Sequence, residues 1–320
     1  MQPSENYVIK KTFSLKIILF TSLSLLTVLS FYNNAIAFDV KQAPTVKPQT
    51  TQPQSKEAAN VDTIPVSMAL KKTAVQQGQY FEVDITGAEK NPLVWFNSES
   101  FLAFKVGDKA YKALIPVENL TKPGSYVILA RTGEWEERIP VKVLDNRKPI
   151  QYIYLDPDKS SLEATNKEIN EISSAFRLKT EEKYAQGKFS YPSTAVKSSP
   201  FGVKRSYNKA PVDSYHKGLD FAGKMGSPVF APADGKVALT GLEKDGFQVH
   251  GNTILIDHGH ALTSIYLHLS KIDVKKGDMV TKGQKIGEVG HTGISTGPHL
   301  HWGTYLYGTS VDPELFVKGD

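Results

Sequence analysis

Short runs in which apolar and polar residues alternate dominate the chain from Val61 to Leu144. Examples are Tyr80-Phe81-Glu82-Val83-Asp84-Ile85, Tyr126-Val127-Ile128-Leu129 and Ile139-Pro140-Val141-Lys142-Val143. A period of two marks strands with one buried face. Gly78, Gly87, Asn91-Pro92, Gly107-Asp108 and Pro123-Gly124 punctuate the runs as turns, and strands at this spacing predict a β-sandwich of immunoglobulin-like size over residues 61–146. The period then changes. Leu162, Thr165, Ile169, Ile172 and Phe176 fall at three-four spacing, and Ser160 with Glu163 reads as a capping box. Residues 158–187 therefore predict a connecting helix, ended by Gly187, with its charged face in solvent. Strands return from Phe201, between turns at Gly223–Pro228, Asp234-Gly235, Gly277-Asp278, Gly283 and Gly297-Pro298. The expected class is mainly β: a sandwich, a connecting segment over 147–198 and a compact all-β unit over 199–320.

The first 60 residues follow neither period. Lys10, Lys11 and Lys16 precede an apolar run from Ile17 to Phe31, and Ala35-Ile36-Ala37 supplies a small-x-small cleavage site. Residues 1–37 thus read as an export signal, the alternative being an uncleaved anchor in the inner membrane. In either case the remainder is expected outside the cytoplasm, periplasmic or secreted. Residues 38–60, rich in Pro, Gln, Thr and Lys, cannot bury enough apolar surface to order themselves and read as a linker.

Charge and cysteine content narrow the chemistry. The formal charge is +5, but residues 200–320 hold 13 Lys/Arg against 12 Asp/Glu, a net of +1. A nucleic-acid reader concentrates basic residues on its working domain, so no nucleic-acid partner is expected. With no cysteine, any transition-metal site must be built from His, Asp or Glu. All eight histidines lie between His216 and His301.

Three segments concentrate that potential. His216 and Asp220 in Tyr215-His216-Lys217-Gly218-Leu219-Asp220 are an even number of residues apart, which puts both on one face of an extended strand. The second segment is Tyr266-Leu267-His268-Leu269-Ser270. In the third, Gly297-Pro298-His299-Leu300-His301-Trp302, alternation aims His299 and His301 to one side and turns Leu300 and Trp302 into a core. Two His and one carboxylate, with a fourth position for water, make a catalytic rather than a structural zinc site. No His-Glu-x-x-His helix occurs, so a neutral imidazole is the suitable proton acceptor.

At these residues the sequence resembles the lysostaphin-type (LytM-like) peptidoglycan zinc endopeptidases. The resemblance begins at Ser199-Pro200-Phe201-Gly202-Val203-Lys204-Arg205 and includes His216-x-x-x-Asp220, Ala231-Pro232-Ala233-Asp234-Gly235, Ile256-Asp257-His258-Gly259 and Tyr266-x-His268-Leu269-Ser270. It continues through Gly277-Asp278-x-Val280-x-x-Gly283-Gln284 and Thr292-Gly293-x-Ser295-Thr296-Gly297-Pro298-His299-Leu300-His301 to Asp312-Pro313. It implies His216, Asp220 and His301 as zinc ligands, and His268 and His299 as catalytic histidines, one the general base and the other the stabiliser of the oxyanion. It also implies an antiparallel β-sheet peptidase domain, zinc as cofactor and peptidoglycan as substrate. Lys204 stands where the family pattern carries Arg, which keeps the charge without the bidentate fork.

Plainer readings hold for the other histidines. His250, His260 and His291 fall in loops and His258 supports a turn. The Gly277–Gln284 stretch also resembles turns of biotinyl and lipoyl carriers, which need no histidine cluster. The competing functional reading is a catalytically silent wall-binding regulator of other hydrolases. Such relatives lose ligand positions, and here all five are present. A monomer is expected, since no coiled-coil seam appears.

Overall fold

The computed structural model describes residues 65–154 and 162–319. The signal and linker expected over 1–37 and 38–60, and the Ser160 half of the capping box, lie outside the described residues.

Alternation becomes pairing in the N-terminal unit. Tyr80–Thr86 lies antiparallel to Ala110–Pro116, and its inward residues Phe81, Val83 and Ile85 are sealed from solvent. These strands sit in a four-stranded sheet with Ser67–Leu70 and Phe104–Gly107. A five-stranded sheet contains the long hairpin Gly124–Thr132 with Trp135–Leu144. Both sheets feed one apolar cluster, Val94, Phe96, Ile128 and Val141 meeting Phe81, Ile85 and Ile115.

In the C-terminal unit the central sheet has eight strands. Its order is Val196–Ser199, Leu219–Ala222, Leu300–Leu306, Leu262–Leu269, Asn252–Gly259, Gly235–Gly241 and Met279–Val280, with Thr309–Val311 also paired to Leu300–Leu306. Its neighbouring pairs are antiparallel. One face buries Leu219, Phe221, Tyr266, Leu300, Trp302 and Leu306 in a common core. The other presents Leu239, Leu255, Ile265, Leu267 and Tyr305, and there the connecting helix packs.

That helix corrects the sequence expectation of 158–187. It spans Asn166–Phe176, its N-cap is Thr165, whose side chain accepts the Glu168 amide, and its C-cap is Arg177. The chain beyond has better partners than a further helical turn. The amides of Tyr184 and Ala185 donate to the His258 carbonyl, and the Thr180 carbonyl accepts the His260 amide. The apolar stripe is rotated as well. Ile172 and Ala175 are buried and Ile169 is exposed, while Glu168, expected in solvent, is 0% exposed.

The two units touch through specific contacts. The Phe104 and His260 rings stack at 4.7 Å, and the Tyr307 hydroxyl donates to the Leu102 carbonyl (2.7 Å). Buried Asn119 donates from Nδ2 to the Gly202 carbonyl (3.2 Å) and accepts from Asn146 Nδ2 (2.6 Å). Gly78 has φ +81°, and a Cβ there would lie 2.4 Å from the Phe201 ring. Only glycine suits both the backbone and the close approach.

Candidate metal centre

The face of the eight-stranded sheet that meets the helix also carries the polar residues of interest. Asp220 sits directly opposite His301 in the strand register, between the pairs Leu219–Trp302 and Phe221–Leu300. Because side chains alternate, the register that sends Leu219, Phe221, Leu300 and Trp302 into the core puts Asp220 and His301 side by side on the other face. His216 arrives differently from the single continuous strand expected. The strand Ser214–Tyr215 ends before it, and Lys217-Gly218 separates it from Leu219–Ala222. A Cβ on Gly218 would lie 2.3 Å from the Trp302 carbonyl oxygen and 2.8 Å from His301 Nε2. The missing side chain is what lets this turn fold against the neighbouring strand.

The ligand atoms of His216, Asp220 and His301 all lie within 4.8 Å of one another. His216 Nε2 is 2.9 Å from Asp220 Oδ1 and 3.1 Å from His301 Nδ1, and His301 Nδ1 is 2.9 Å from the same oxygen. His216 Nδ1 lies 2.8 Å from the Pro200 carbonyl. That carbonyl can only accept, so Nδ1 carries the proton and Nε2 turns a lone pair inward. Burial pushes the His216 imidazole down, with the Arg205 charge adding to it, and burial pushes His301 down to about 4. Burial drives the Asp220 carboxyl up, but hydrogen bonds and charge from His216 and His301 outweigh it and hold it well below the usual carboxylate range. A carboxylate oxygen and two ring nitrogens thus converge at close range on one point, a donor set that a divalent cation would satisfy in place of the ring protons. Ligand atoms of four-coordinate zinc stand roughly 3.3 Å apart, given bonds of ~2.0–2.2 Å, and this cluster is near that spacing. The donor set fits a divalent ion, and the Pro200 carbonyl orients His216 as such sites require.

His268 reaches the same place through a fault in the sheet. Asn252 pairs with Leu269 and Ile254 with Tyr266, so Thr253 alone faces both Leu267 and His268. This extra residue is a β-bulge. Without it, His268 would follow Tyr266 into the core. With it, Leu269 takes the core position and the His268 ring comes within 4.9 Å of His299 and 6.4 Å of His301, centroid to centroid. His268 has φ +64°, a left-handed conformation costing roughly 1–2 kcal/mol in a residue with a Cβ. Two bonds hold it there: its amide donates to the His250 carbonyl (3.2 Å), and its Nδ1 donates to the Thr292 carbonyl (2.8 Å). Burial, followed by the charges of His299 and His301, pushes its imidazole well below the ordinary value.

His299 lies just before the Leu300–Leu306 strand, bridged to Gly290. Its Nδ1 donates to the Gly297 carbonyl (2.8 Å), and its Nε2 is 3.9 Å from Asp220 Oδ1. Like His268, it keeps Nε2 as the ring nitrogen without that proton. The structure thus brings together all five residues singled out in the sequence: His216, Asp220, His268, His299 and His301.

Two charged groups escaped the sequence reading. Arg205, beside the Lys204 noted above, places Nη2 3.6 Å from Asp220 Oδ2. The doublet gave no hint which cation points inward. Glu168 accepts hydrogen bonds from the His250 loop, and its place in a polar helix face concealed it. His258 stays apart from the centre: 1% exposed, it contacts the Asp234 carbonyl (2.8 Å) and Ser264 Oγ (2.7 Å), and burial pushes it down to about 4.

Residues 214–313 match the model of peptidase family M23. The chain is similar to the peptidoglycan DD-endopeptidase ShyA of Vibrio cholerae, 42% identical over 115 residues, 36% of this chain and 26% of that protein. It is similar to the DD-carboxypeptidase/endopeptidase Mpg of Neisseria meningitidis, 40% identical over 116 residues, 36% of this chain and 26% of that protein. It spans about a quarter of the length of these curated relatives. A crystal structure from Pseudomonas aeruginosa assigned to peptidase M23 superimposes with a TM-score of 0.55 at 30% identity, covering 72% of this chain and 88% of that one.

Proposed function

The chain belongs to peptidase family M23, and from that premise we propose that it is a zinc-dependent endopeptidase cutting peptide cross-links or stem peptides of bacterial peptidoglycan. The observation that carries this reading is the meeting of His216, Asp220 and His301 around one ion-sized point, with two further imidazoles beside it. The names of ShyA and Mpg favour a bond between two D-centres.

His216 through Nε2, His301 through Nδ1 and Asp220 through Oδ1 would hold the zinc. When bound, zinc lowers the pKa of a coordinated water to ~7 and polarises the scissile carbonyl. The protein supplies the proton traffic. His268 and His299, each protonated at Nδ1 and open at Nε2, flank the ligand set; one accepts the proton of the attacking water and passes it to the departing amine as the peptide bond breaks, and the other, after taking a proton from solvent at Nε2, donates to the developing oxyanion. Burial keeps His268 neutral at pH 7, as a base must be. Arg205, at 3.6 Å, helps keep Asp220 ionised and oriented.

Residues 61–146 are read as an immunoglobulin-like spacer or recognition unit, and residues 1–37 as a signal that directs a monomeric enzyme to the envelope. The test is digestion of purified peptidoglycan with mass spectrometry of the products. Wild type is expected to release muropeptides whose masses name the bond cut, and chelator or His216→Ala to abolish them. A zinc-loaded chain that binds walls and releases nothing supports the regulator reading instead.

A further inference from the structure

Glu168 lies in the connecting helix, outside the span 214–313 that matches the family, and it is fully buried. A carboxylate in such a place needs partners, and it has four. The amides of Gln248, Val249 and His250 donate to it at 3.1, 3.2 and 2.8 Å, and His250 Nδ1 lies 2.7 Å from Oε1. Three successive amides converging on one anion fix the path of a loop. Burial pushes the Glu168 carboxyl up, but bonds from His250 and Val249 outweigh it, so the group stays ionised.

The loop it fixes is the one that constrains His268. The His250 carbonyl accepts the His268 amide (3.2 Å), one of the two bonds that keep φ at +64°. The other acceptor, the Thr292 carbonyl, is seated on the same loop. The Asn252 amide donates to Thr292 Oγ1 (2.9 Å), and a Cβ on Gly251 would lie 2.5 Å from Thr292. Moving residues 248–251 would therefore disturb both the backbone and the ring of His268.

We propose that Glu168 is a positioning residue for His268, acting through the His250 loop, so that the connecting helix is part of the catalytic unit. This rests on the reading of His268 as catalytic. Glu168 touches neither metal ligand nor substrate site; its effect is on the aim of an imidazole.

The test uses the full zinc-loaded chain labelled with 15N-histidine, with His268→Gln assigning the His268 resonances. Glu168→Gln turns an amide donor toward the three loop amides. It is expected to lower kcat about tenfold or more, as loss of an orienting partner does, with KM and zinc content unchanged and the His268 resonances displaced. If it lowers the melting temperature while folded protein keeps wild-type kcat and unmoved His268 resonances, Glu168 is merely structural and the proposal is overturned. Should Glu168→Gln fail to fold, Glu168→Asp retains the charge on a shorter arm and decides by the same two readouts. Wild-type kcat in His268→Gln would instead defeat the catalytic reading of His268, an outcome distinct from the resonance result.

Discussion

Along Leu219–Ala222 and Leu300–Leu306 the same few residues serve two faces of one sheet. Leu219, Phe221, Leu300 and Trp302 enter a sealed apolar core, while Asp220 and His301, interleaved with them, meet His216 on the opposite side. The core face does not depend on which apolar side chain fills each place so much as on volume. The other face depends on single atoms standing near 3 Å from one another. The contrast shows how rigidity is supplied to the site: Asp220 and His301 are each clamped by buried neighbours on either side in sequence.

The contrast can be broken most forcefully at His301. His301→Ala is expected to abolish zinc binding and lower kcat/KM about 10³-fold or more, while the urea midpoint of the metal-free protein moves little. Metal analysis and kinetics check the first part and equilibrium unfolding the second. Trp302→Ala, one residue away, is expected to cost about 3–5 kcal/mol of stability, as loss of a fully buried large aromatic does. Urea unfolding measures it. If both substitutions unfold the chain equally, the division between the faces is wrong.

How far this arrangement was legible in the sequence follows from the same geometry. Alternation in Pro298-His299-Leu300-His301-Trp302 forecasts which side chains face the site and which face the core, because a paired strand obeys a period of two. His268 breaks that rule. The bulge against Thr253 leaves no mark in the local pattern, so only the family resemblance pointed to His268. The N-terminal strands were readable for the reason His301 was. The connecting helix was overextended because its end was placed at Gly187, although the three-four spacing stops at Phe176 and the residues beyond find tertiary partners at His258 and His260. Glu168 was missed because a lone carboxylate in a polar face carries no sign of burial.

Two smaller effects sharpen the comparison away from the metal. His258 has a folded pKa of about 4 against an ordinary 6.5. As pH falls below 6.5 the unfolded chain takes up this proton before the folded one. Stability is therefore fully present above 6.5 and declines by about 3 kcal/mol as pH drops to about 4. Urea midpoints across that range should fall in wild type and fall less steeply in His258→Gln, the remaining decline belonging to the other histidines that burial lowers, His301 and His268 among them. Asn119→Ala, which strips a buried partner from the Gly202 carbonyl and Asn146, is expected to cost about 1–3 kcal/mol. Calorimetry of the full chain reads it, and kcat should stay near wild type.

The most direct test of the central claim is a crystal structure of the zinc-loaded chain with diffraction recorded on both sides of the zinc absorption edge. The account predicts one anomalous peak bonded at ~2.0–2.2 Å to His216 Nε2, His301 Nδ1 and an Asp220 oxygen, with solvent in the fourth position and the rings of His268 and His299 beside it. A peak that lies elsewhere, or one that recruits His268 or His299 as a ligand in place of one of those three, would contradict it.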